Sequence, residues 1–371
     1  MDVSIILPSR NEEKTILSCI NKIKSVFQEH SINGEIIVSD SSDDNTYNLI
    51  KNLGMKIVRH DKKGYGNAYH EAFKHINGDN VILIDADNTY DFNEIPKFLN
   101  LLKDYELIIG NRFKGNMAAG SMSLLNKIGN SALTWIFNFL YKVNVSDAHC
   151  GFRAISCEKL KKLNLVSNGM EFASEMLIQA KKHNLKIKEI PIVYKPRLGK
   201  SKLRPLSDGW RHLRLMLIHA PNYLFLIPGG FIFIIGMFFL TLLAFGPILI
   251  SGFFLDIHPM VLASLFSILG YQVLFLGIFA KTYAAVHLGQ LDWLIDVITR
   301  SLTIEKASTI GLLLFLTGFL INLFILVKWV KTGFGPLSEL RTAIFGSTII
   351  ILGIQTIFSS FLLSILSLKK Q

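Results

Sequence analysis

Two aspartates separated by a single residue, Asp85 and Asp87, have the spacing in this 371-residue sequence that most suggests chemistry. They follow the apolar run 81–84, which predicts a β-strand, so both carboxylates stand at a strand end. Mg²⁺ and Mn²⁺ prefer oxygen ligands and keep waters and phosphates in their shell, which makes the pair a candidate metal site. Acidic pairs also serve as ordinary turn or capping residues, and the pair alone does not decide between these roles.

Polar segments follow two other predicted strands. The apolar runs 3–7 and 35–38 precede the polar segments 9–13 and 40–44, and helix-compatible sequence comes after each of these segments. This rhythm predicts a parallel sheet, and such sheets bind ligands at the carboxyl ends of their strands. Segment 64–68 adds a glycine-rich turn into a helix, which suits a phosphate. Together the segments favour a nucleotide site at one sheet edge. Further strands are predicted at 56–59, 106–109 and 187–194.

Apolar residues are unevenly distributed along the chain. Half of all residues are hydrophobic and only 18% are charged, which is too apolar for one soluble domain. Four stretches in the C-terminal part are long enough to cross a hydrocarbon core of about 30 Å. These stretches are 223–250, 259–286, 308–330 and 343–367. We therefore predict an N-terminal catalytic domain, 1–220, and an all-α transmembrane domain, 221–371.

The net charge of +11 includes a basic segment, 195–214, directly before the first predicted span. This placement suits anionic lipid headgroups, and by the positive-inside rule it puts the catalytic domain on the cytoplasmic side of the membrane. Three basic residues later in the chain would then lie on the outer side of the membrane, against the rule. The predicted membrane orientation therefore rests on segment 195–214. No nucleic-acid-binding motif is present, and we expect no nucleic-acid partner. Three cysteines without a CxxC pair indicate neither a disulfide framework nor a zinc site.

Segment 118–143 mixes apolar residues with asparagine and lysine, and its apolar part is too short to span a membrane. Two readings stay open. It forms interfacial helices that lie on the bilayer near the active site, or it forms a buried core helix of the catalytic domain.

Eight ordered segments of the N-terminal half resemble the GT-A fold glycosyltransferases of family 2, and within that family the dolichol-phosphate mannose or glucose synthase group. The segments are LPSRNEE, SDSSDDNT, KKGYGNA, DADNTYD, GNRF, DAHCGFRA, EFASEM and PRLGKSKL. The resemblance implies an α/β GT-A, Rossmann-like domain that binds a nucleotide-sugar, followed by the transmembrane helices.

The resemblance also implies roles for particular residues. Asp85 and Asp87 would bind the metal and the diphosphate. The nucleotide-sugar would contact Pro8, Arg10, Asn11, Glu12, Asp40, Gly64, Asp85, Ala86, Asp87 and Lys200. The catalytic residues would be Asp87, Arg112, Lys127, Arg153, Glu175 and Lys202. We also expect the segment that contains Lys200 and Lys202 to be a mobile phosphate clamp, because proline and glycine punctuate it.

Two positions depart from the family pattern, and one residue has two open roles. Thr89 stands where mannose-transferring members tend to carry a metal-binding glutamine, and Lys127 stands where an arginine is common. Both changes weaken the mannose assignment more than the family assignment. Glu175 lies where related transferases to hydroxyl groups place their base, and it could equally be a structural hydrogen-bonding residue.

By this resemblance the chain would transfer a sugar from a GDP-mannose or UDP-glucose type donor to a polyprenyl or dolichyl phosphate, with inversion. One alternative is a processive polysaccharide synthase, but its QxxRW motif is missing, since no matching glutamine precedes Trp210 and Arg211. The other is a non-catalytic membrane protein that binds or moves lipid-linked sugars. The sugar, the base and the oligomeric state stay open, and a homo-oligomer is compatible with the sequence.

Overall fold

The structure is a computed structural model that describes residues 1–199, 204–250, 252–287, 295, 297 and 303–368. The chain divides into two compact units, Met1–His219 and Ala220–Gln371. Lys200 and Lys202, and with them the expected phosphate clamp, lie outside the described residues. Most of residues 287–307, between the second and third predicted spans, also lie outside the described residues.

The described part of the first unit is built on a seven-stranded sheet with the order β3-β2-β1-β4-β6-β5-β7. The strands are β1 (Val3–Ser9), β2 (Gly34–Asp40), β3 (Lys56–Arg59), β4 (Asn80–Leu83), β5 (Leu107–Asn111), β6 (Arg153–Ser156) and β7 (Ile187–Pro191). All expected strands are present near their predicted positions. The expected parallel sheet is wrong in one respect, because β6 runs antiparallel to both β4 and β5. An apolar pattern can locate a strand but does not fix its direction, which is decided by the strands that it pairs with.

Helices cover the sheet and close its core. Those of the first unit are α1 (Ile16–Glu29), α2 (Thr46–Asn52), α3 (Tyr65–Phe73), α4 (Ile95–Leu101), α5 (Leu124–Tyr141), α6 (Cys157–Lys162), α7 (Phe172–Lys182) and α8 (Pro205–Ile218). Helix α1 buries Ile16, Ile20 and Ile23, which share one face at the helical spacing. They pack in one core with fully buried residues of β1 and β4. This packing fixes the central strands, which end at the polar segments.

The register of the central strands brings the three polar segments together. Ser9 at the end of β1 pairs with Asp40 at the end of β2, and Ile6 of β1 pairs with Leu83 of β4. Because these strands are parallel, the chain leaves all three at the same edge of the sheet. The segments that follow Ser9, Asp40 and Leu83 are therefore neighbours, as the sequence predicts.

Among the residues that the structure describes in the second unit, four helices are long and apolar enough to cross a membrane: Asn222–Ala244, Ile257–Val286, Ile304–Lys331 and Leu340–Leu366. Residues Asn222–Leu226 form a π-helical turn that leads into α9 (Ile227–Ala244), and the other spans belong to α10 (Ile257–His287), α11 (Ile304–Lys331) and α12 (Leu340–Leu366). The first span ends before the predicted residue 250, because Pro247 cannot continue a helix. A short hairpin of β8 (Ile248–Ile250) and β9 (Phe253–Leu255) follows instead.

Glycines allow α9 and α10 to pack closely. A Cβ atom placed on Gly270 of α10 would lie 2.3 Å from the backbone nitrogen of Phe233 in α9. Membrane helices gain little from apolar burial against lipid, so close backbone approach at small residues is a main source of their association. Gly230 of α9 is different, since its nearest neighbour would be a Leu274 methyl carbon at 3.7 Å.

We expect Gly270→Ala to destabilise the membrane unit by about 1–3 kcal/mol, because the added methyl group must push two backbones apart. Gly230→Ala is the matched control, since it makes the same change inside a helix where an ordinary contact is available. The measurement is the thermal unfolding midpoint of the full-length protein in detergent. Equal midpoints for the two variants would contradict the close approach.

Candidate active site

Two residues contact the Asp87 carboxylate, which lies at the edge of the sheet where the parallel strands end. Its Oδ1 accepts hydrogen bonds from the hydroxyl group of Thr89 at 2.6 Å and from the backbone N–H of Thr89 at 3.2 Å. Its Oδ2 forms an ion pair with Nη1 of Arg197 at 3.1 Å. The hydroxyl of Thr89 thus orients Asp87.

Arg197 joins two of the predicted site residues. Its Nη2 forms an ion pair with Glu12, while its Nη1 contacts Asp87. Sequence analysis placed Arg197 only in the basic segment before the membrane and gave it no role in the site. Its position 185 residues after Glu12 left no local signal that could have found it.

Asp85 has a neutral partner in place of a cation. The hydroxyl of Tyr65 donates to its Oδ1 at 3.0 Å. Burial, followed by repulsion from Asp87, raises the pKa of Asp85 to about 7, although the hydrogen bond from Tyr65 and the charges of Arg197 and Arg112 act in the opposite direction. Gly151 lies against this carboxylate, since a Cβ atom there would come within 2.6 Å of Oδ2. Ala86, between the two aspartates, is buried and accepts the Thr15 hydroxyl at its carbonyl oxygen.

Asp40, another predicted contact of the nucleotide-sugar, is a second acid of the site, and it pairs with a cation of its own. Asp40 is fully buried and pairs with Nη1 of Arg59 at 2.6 Å, and its other oxygen accepts the hydroxyl of Ser42. That hydroxyl also accepts the backbone N–H of Asn11 at 2.7 Å, which ties the first two polar segments together. Sequence analysis missed Arg59, although it pairs in register with Asp40 on the neighbouring strand. Pro8 is half-buried and Arg10 is exposed in the segment after β1.

The glycine-rich turn before α3 serves close packing in this structure. A Cβ atom on Gly64 would lie 2.2 Å from the carbonyl oxygen of Asn168, and one on Gly66 would lie 2.0 Å from that of Ser167. The backbone N–H groups of Gly66 and Asn67 donate to Gly169 and Asn168, each at 3.2 Å. These first-turn N–H groups, which the sequence suggested for a phosphate, therefore bind the loop 167–169.

Arg112 is neutralised by a buried acid. Its Nε and Nη2 donate to the two oxygens of Asp147 at 2.7 and 2.8 Å, a bidentate pair, and its guanidinium lies 5.3 Å from the ring centre of Tyr194. Asp147 is fully buried, and Glu189 accepts its backbone N–H at 2.8 Å. Arg112 thus holds the segment before β6 against the end of β5, and its charge is largely balanced.

Arg153 and Glu175 are buried and bound to backbone groups. The Arg153 guanidinium donates to the carbonyl oxygens of Ala148, Cys150 and Ala173 at 2.6–2.9 Å. The carboxylate of Glu175 accepts the backbone N–H groups of Val166 and Ser167 at 2.8–3.1 Å. The sequence left two roles open for Glu175, a catalytic base and a structural hydrogen-bonding residue. These contacts favour the structural role.

Helix α5 presents an apolar stripe to its surroundings. Leu124, Ile128, Trp135 and Phe139 are between 57% and 73% exposed, and at 100° per residue they fall within an arc of about 60°. Thr134 and Phe137, on the opposite side, are buried. Helix α8, which packs against α5, exposes Leu206 and Trp210 in the same way. One face of α5 thus packs on the core and the other is exposed, which favours the interfacial position, and Lys127, on the same helix, is exposed.

The pair of aspartates suits a divalent cation that keeps most of its shell from water and phosphate. Among the described residues no group of three or more His, Cys, Asp or Glu side chains surrounds one point, so Asp85 and Asp87 would be the protein's carboxylate ligands. Burial and then the charge of Asp87 raise the pKa of Asp85, and a bound cation would favour its charged form. Mg²⁺ and Mn²⁺ fit such a donor set.

Two family models match the chain. Glycosyl transferase family 2 matches residues 4–163, and Glycosyltransferase family 2 C-terminal transmembrane region matches residues 278–367. The expected GT-A domain followed by membrane-spanning helices is confirmed.

Relatives and a solved structure agree with this match. Low-salt glycan biosynthesis hexosyltransferase Agl6 of Haloferax volcanii is 37% identical over 364 residues, covering 97% of this chain and 88% of that protein. Dolichyl-phosphate hexose transferase of the same organism is 31% identical over 209 residues, 56% of this chain and 89% of that protein. Glucosyl-3-phosphoglycerate synthase from Mycobacterium tuberculosis, crystallised with Mn²⁺, UDP-glucose and phosphoglyceric acid, shares the fold, with a TM-score of 0.50, 20% identity, and coverage of 59% of this chain and 79% of that one.

The raised pKa of Asp85 predicts how metal binding depends on pH. A metal ligand must be deprotonated, so below the pKa of about 7 a cation has to displace a proton. We expect the affinity for Mn²⁺ alone to rise about tenfold per unit from pH 5.5 to pH 7 and then to level off. Binding is measured from the electron paramagnetic resonance signal of free Mn²⁺. Asp85→Asn should bind more weakly with a flat profile, and a flat wild-type profile would contradict the assignment.

Proposed function

Because the chain belongs to glycosyl transferase family 2, we propose that it transfers a hexose from a nucleotide-sugar to a polyprenyl or dolichyl phosphate, with inversion. The single observation that carries the proposal is the acidic corner of Asp85 and Asp87 at the carboxyl edge of a GT-A sheet, in a chain that also has four membrane-spanning-capable helices. The names of the relatives, a hexosyltransferase of glycan biosynthesis and a dolichyl-phosphate hexose transferase, support both the sugar class and the lipid acceptor.

The lipid acceptor is supported by the apolar stripe of α5. Exposed tryptophan, phenylalanine and leucine side chains on one face of a helix are typical of a segment that lies in the headgroup region of a bilayer. Lys127, on the same helix, is an exposed cation suited to a phosphate at that level. We place the catalytic unit on the cytoplasmic side, in line with the basic residues of 195–214.

The chemistry needs no strong general base. A phosphate monoester has a second pKa of about 6, so the acceptor oxygen is already an anionic nucleophile at neutral pH. That oxygen forms a bond to the anomeric carbon while the bond from this carbon to the donor phosphate breaks, and the electron pair leaves with the nucleoside diphosphate. Glu175 fits this scheme, because its carboxylate is occupied by two backbone N–H groups and is not needed to accept a proton.

Charge control is then the main task of the site. Two phosphorylated substrates repel each other, and the leaving diphosphate gains charge as the bond breaks. A divalent cation held by Asp85 and Asp87 would supply Lewis-acid stabilisation of that diphosphate when bound. Arg112 and Arg153 shape the loop around Gly151 that faces Asp85, and Arg112 also contributes long-range positive charge there.

The activity itself is tested by incubating the purified full-length protein with labelled nucleotide-sugars, a polyprenyl phosphate and Mg²⁺ or Mn²⁺. We expect a labelled lipid that carries one sugar per acceptor. A labelled polymer would favour a processive synthase, and donor binding without any product would favour a non-catalytic binding protein. Comparing GDP- and uridine-linked donors in the same assay identifies the base and the sugar.

We expect Asp87→Asn to lower the turnover number by a factor of about 10² or more, because it removes a carboxylate that holds the leaving-group cation. Asp91→Asn is the matched control, since it removes the same charge from the same loop, where Asp91 caps a short helical turn. Turnover is measured at saturating donor and acceptor. If both variants were equally active, Asp87 would not be a metal ligand.

We also expect Trp135→Gln, combined with Phe139→Gln, to lower kcat/KM for the lipid acceptor in vesicles by roughly tenfold, because less apolar surface holds α5 at the membrane. The KM for the nucleotide-sugar should not change. Leu53→Gln serves as control, since Leu53 is an exposed apolar residue at the end of α2. An unchanged acceptor kcat/KM would show that the stripe does not guide the lipid.

A further inference from the structure

Arg197 lies between two acids of the candidate site. One terminal nitrogen contacts Asp87 and the other contacts Glu12, and these three side chains are between 11% and 23% exposed. The third nitrogen, Nε, is buried and has no hydrogen-bond partner among the described residues. Within the described residues, the two carboxylates are therefore the partners that fix the guanidinium. The low exposure of all three side chains keeps most water away from these contacts.

The position of this cation follows from electrostatics. Glu12 and Asp87 come from different polar segments, and without a cation between them their charges would repel in a poorly solvated space. A guanidinium can pair with both carboxylates, because its planar group presents a separate N–H donor to each of them. Arg197 contacts Oδ2 of Asp87. A divalent cation bound to Asp87 would compete for this carboxylate.

The backbone that carries Arg197 is anchored beside the site. The N–H of Lys195 donates to the carbonyl oxygen of Thr89 at 2.7 Å, and the N–H of Tyr194 donates to that of Asn116 at 3.0 Å. Lys195 itself points elsewhere, because its ammonium lies 3.6 Å from Asp91 and is about half exposed. Departure of the Arg197 side chain from the carboxylates would not require these two backbone hydrogen bonds to break.

We propose that Arg197 is a built-in competitor for the divalent cation, a guanidinium that bridges Asp87 and Glu12 until the metal and the donor displace it. The inference rests on the proposed function, because it takes Asp87 as a metal ligand. Displacement breaks both ion pairs at once, so a cation that takes Asp87 also releases the bond from Arg197 to Glu12. Glu12 lies in the segment expected to contact the nucleoside.

A consequence is that metal and nucleotide assist each other. Each ligand alone must break the ion pairs of Arg197, whereas the second ligand finds them already broken. Coupling of this kind is reciprocal and typically amounts to a factor of about 5 to 150. After displacement the guanidinium is available to the diphosphate, which is a better partner than water for a planar fork.

The test compares Arg197→Gln with Lys195→Gln in the full-length protein in detergent. Both variants lose one positive charge from the same segment, but only the first loses the contacts with Asp87 and Glu12. Titration of Mn²⁺ alone at pH 8, followed by the resonance signal of the free ion, gives the affinity. We expect Arg197→Gln to bind Mn²⁺ roughly tenfold more tightly than wild type, and Lys195→Gln to change the affinity by less than about threefold.

A second readout is stability without metal. Arg197→Gln leaves Glu12 and Asp87 without their shared cation, so we expect its unfolding midpoint in chelator to fall below that of Lys195→Gln. Saturating Mn²⁺ should close this gap, because the ion takes over the lost charge.

The outcomes separate the two proposals. If wild type binds Mn²⁺, Asp87→Asn does not, and Arg197→Gln binds as wild type or more weakly, the competitor role is wrong while the metal site stands. Equal Mn²⁺ affinity of wild type and Asp87→Asn would overturn the metal assignment, and the competitor role with it. A lower affinity of Arg197→Gln for a nucleoside diphosphate, with unchanged Mn²⁺ affinity, would make Arg197 a phosphate contact only and would also overturn the inference.

Discussion

The catalytic unit depends on how it balances the negative charge that a parallel sheet collects at one edge. The segments after β1, β2 and β4 each bring carboxylates there, because these parallel strands end together. Asp40 is paired with Arg59, and Asp87 shares Arg197 with Glu12. Asp85 has the hydroxyl of Tyr65 instead, and burial, followed in size by repulsion from Asp87, raises its pKa. An added cation beside Asp85 would favour its charged form.

The other buried pairs serve geometry more than charge. Breaking a buried ion pair leaves one uncompensated charge at a cost of about 3–5 kcal/mol, so such pairs fix the segments they join. Arg112 with Asp147 fixes the segment before β6, and Arg153 with three carbonyl oxygens fixes the same segment from the other side. Gly151 lies between these anchors and against Asp85. The rigid loop therefore sets the wall of the acidic corner.

Sequence reasoning found the parts of this arrangement that follow from local pattern. Apolar runs predicted the central strands, and the polar residues after them predicted the edge at which Asp85 and Asp87 lie. It could not find the cations, because Arg59 and Arg197 reach their acids across 19 and 185 residues. It predicted Gly64 as a contact of the nucleotide-sugar but could not foresee its close approach to the carbonyl oxygen of Asn168. Neither a long-range pair nor a close backbone contact leaves a periodic trace.

Counting basic residues would overstate the positive charge that the site offers to its substrates. Arg112 is bound to Asp147, and Arg153 lies among backbone carbonyl oxygens. Arg197 is bound to two carboxylates, so within the described residues these arginines are already engaged. Two phosphorylated substrates in one site bring several further negative charges. On the proposed mechanism, the positive charge that draws them together would come from a metal ion, from Lys127 and from cations that change partners on binding. Such a site would favour the loaded state most when metal and donor are both present, which would limit unproductive binding of either one.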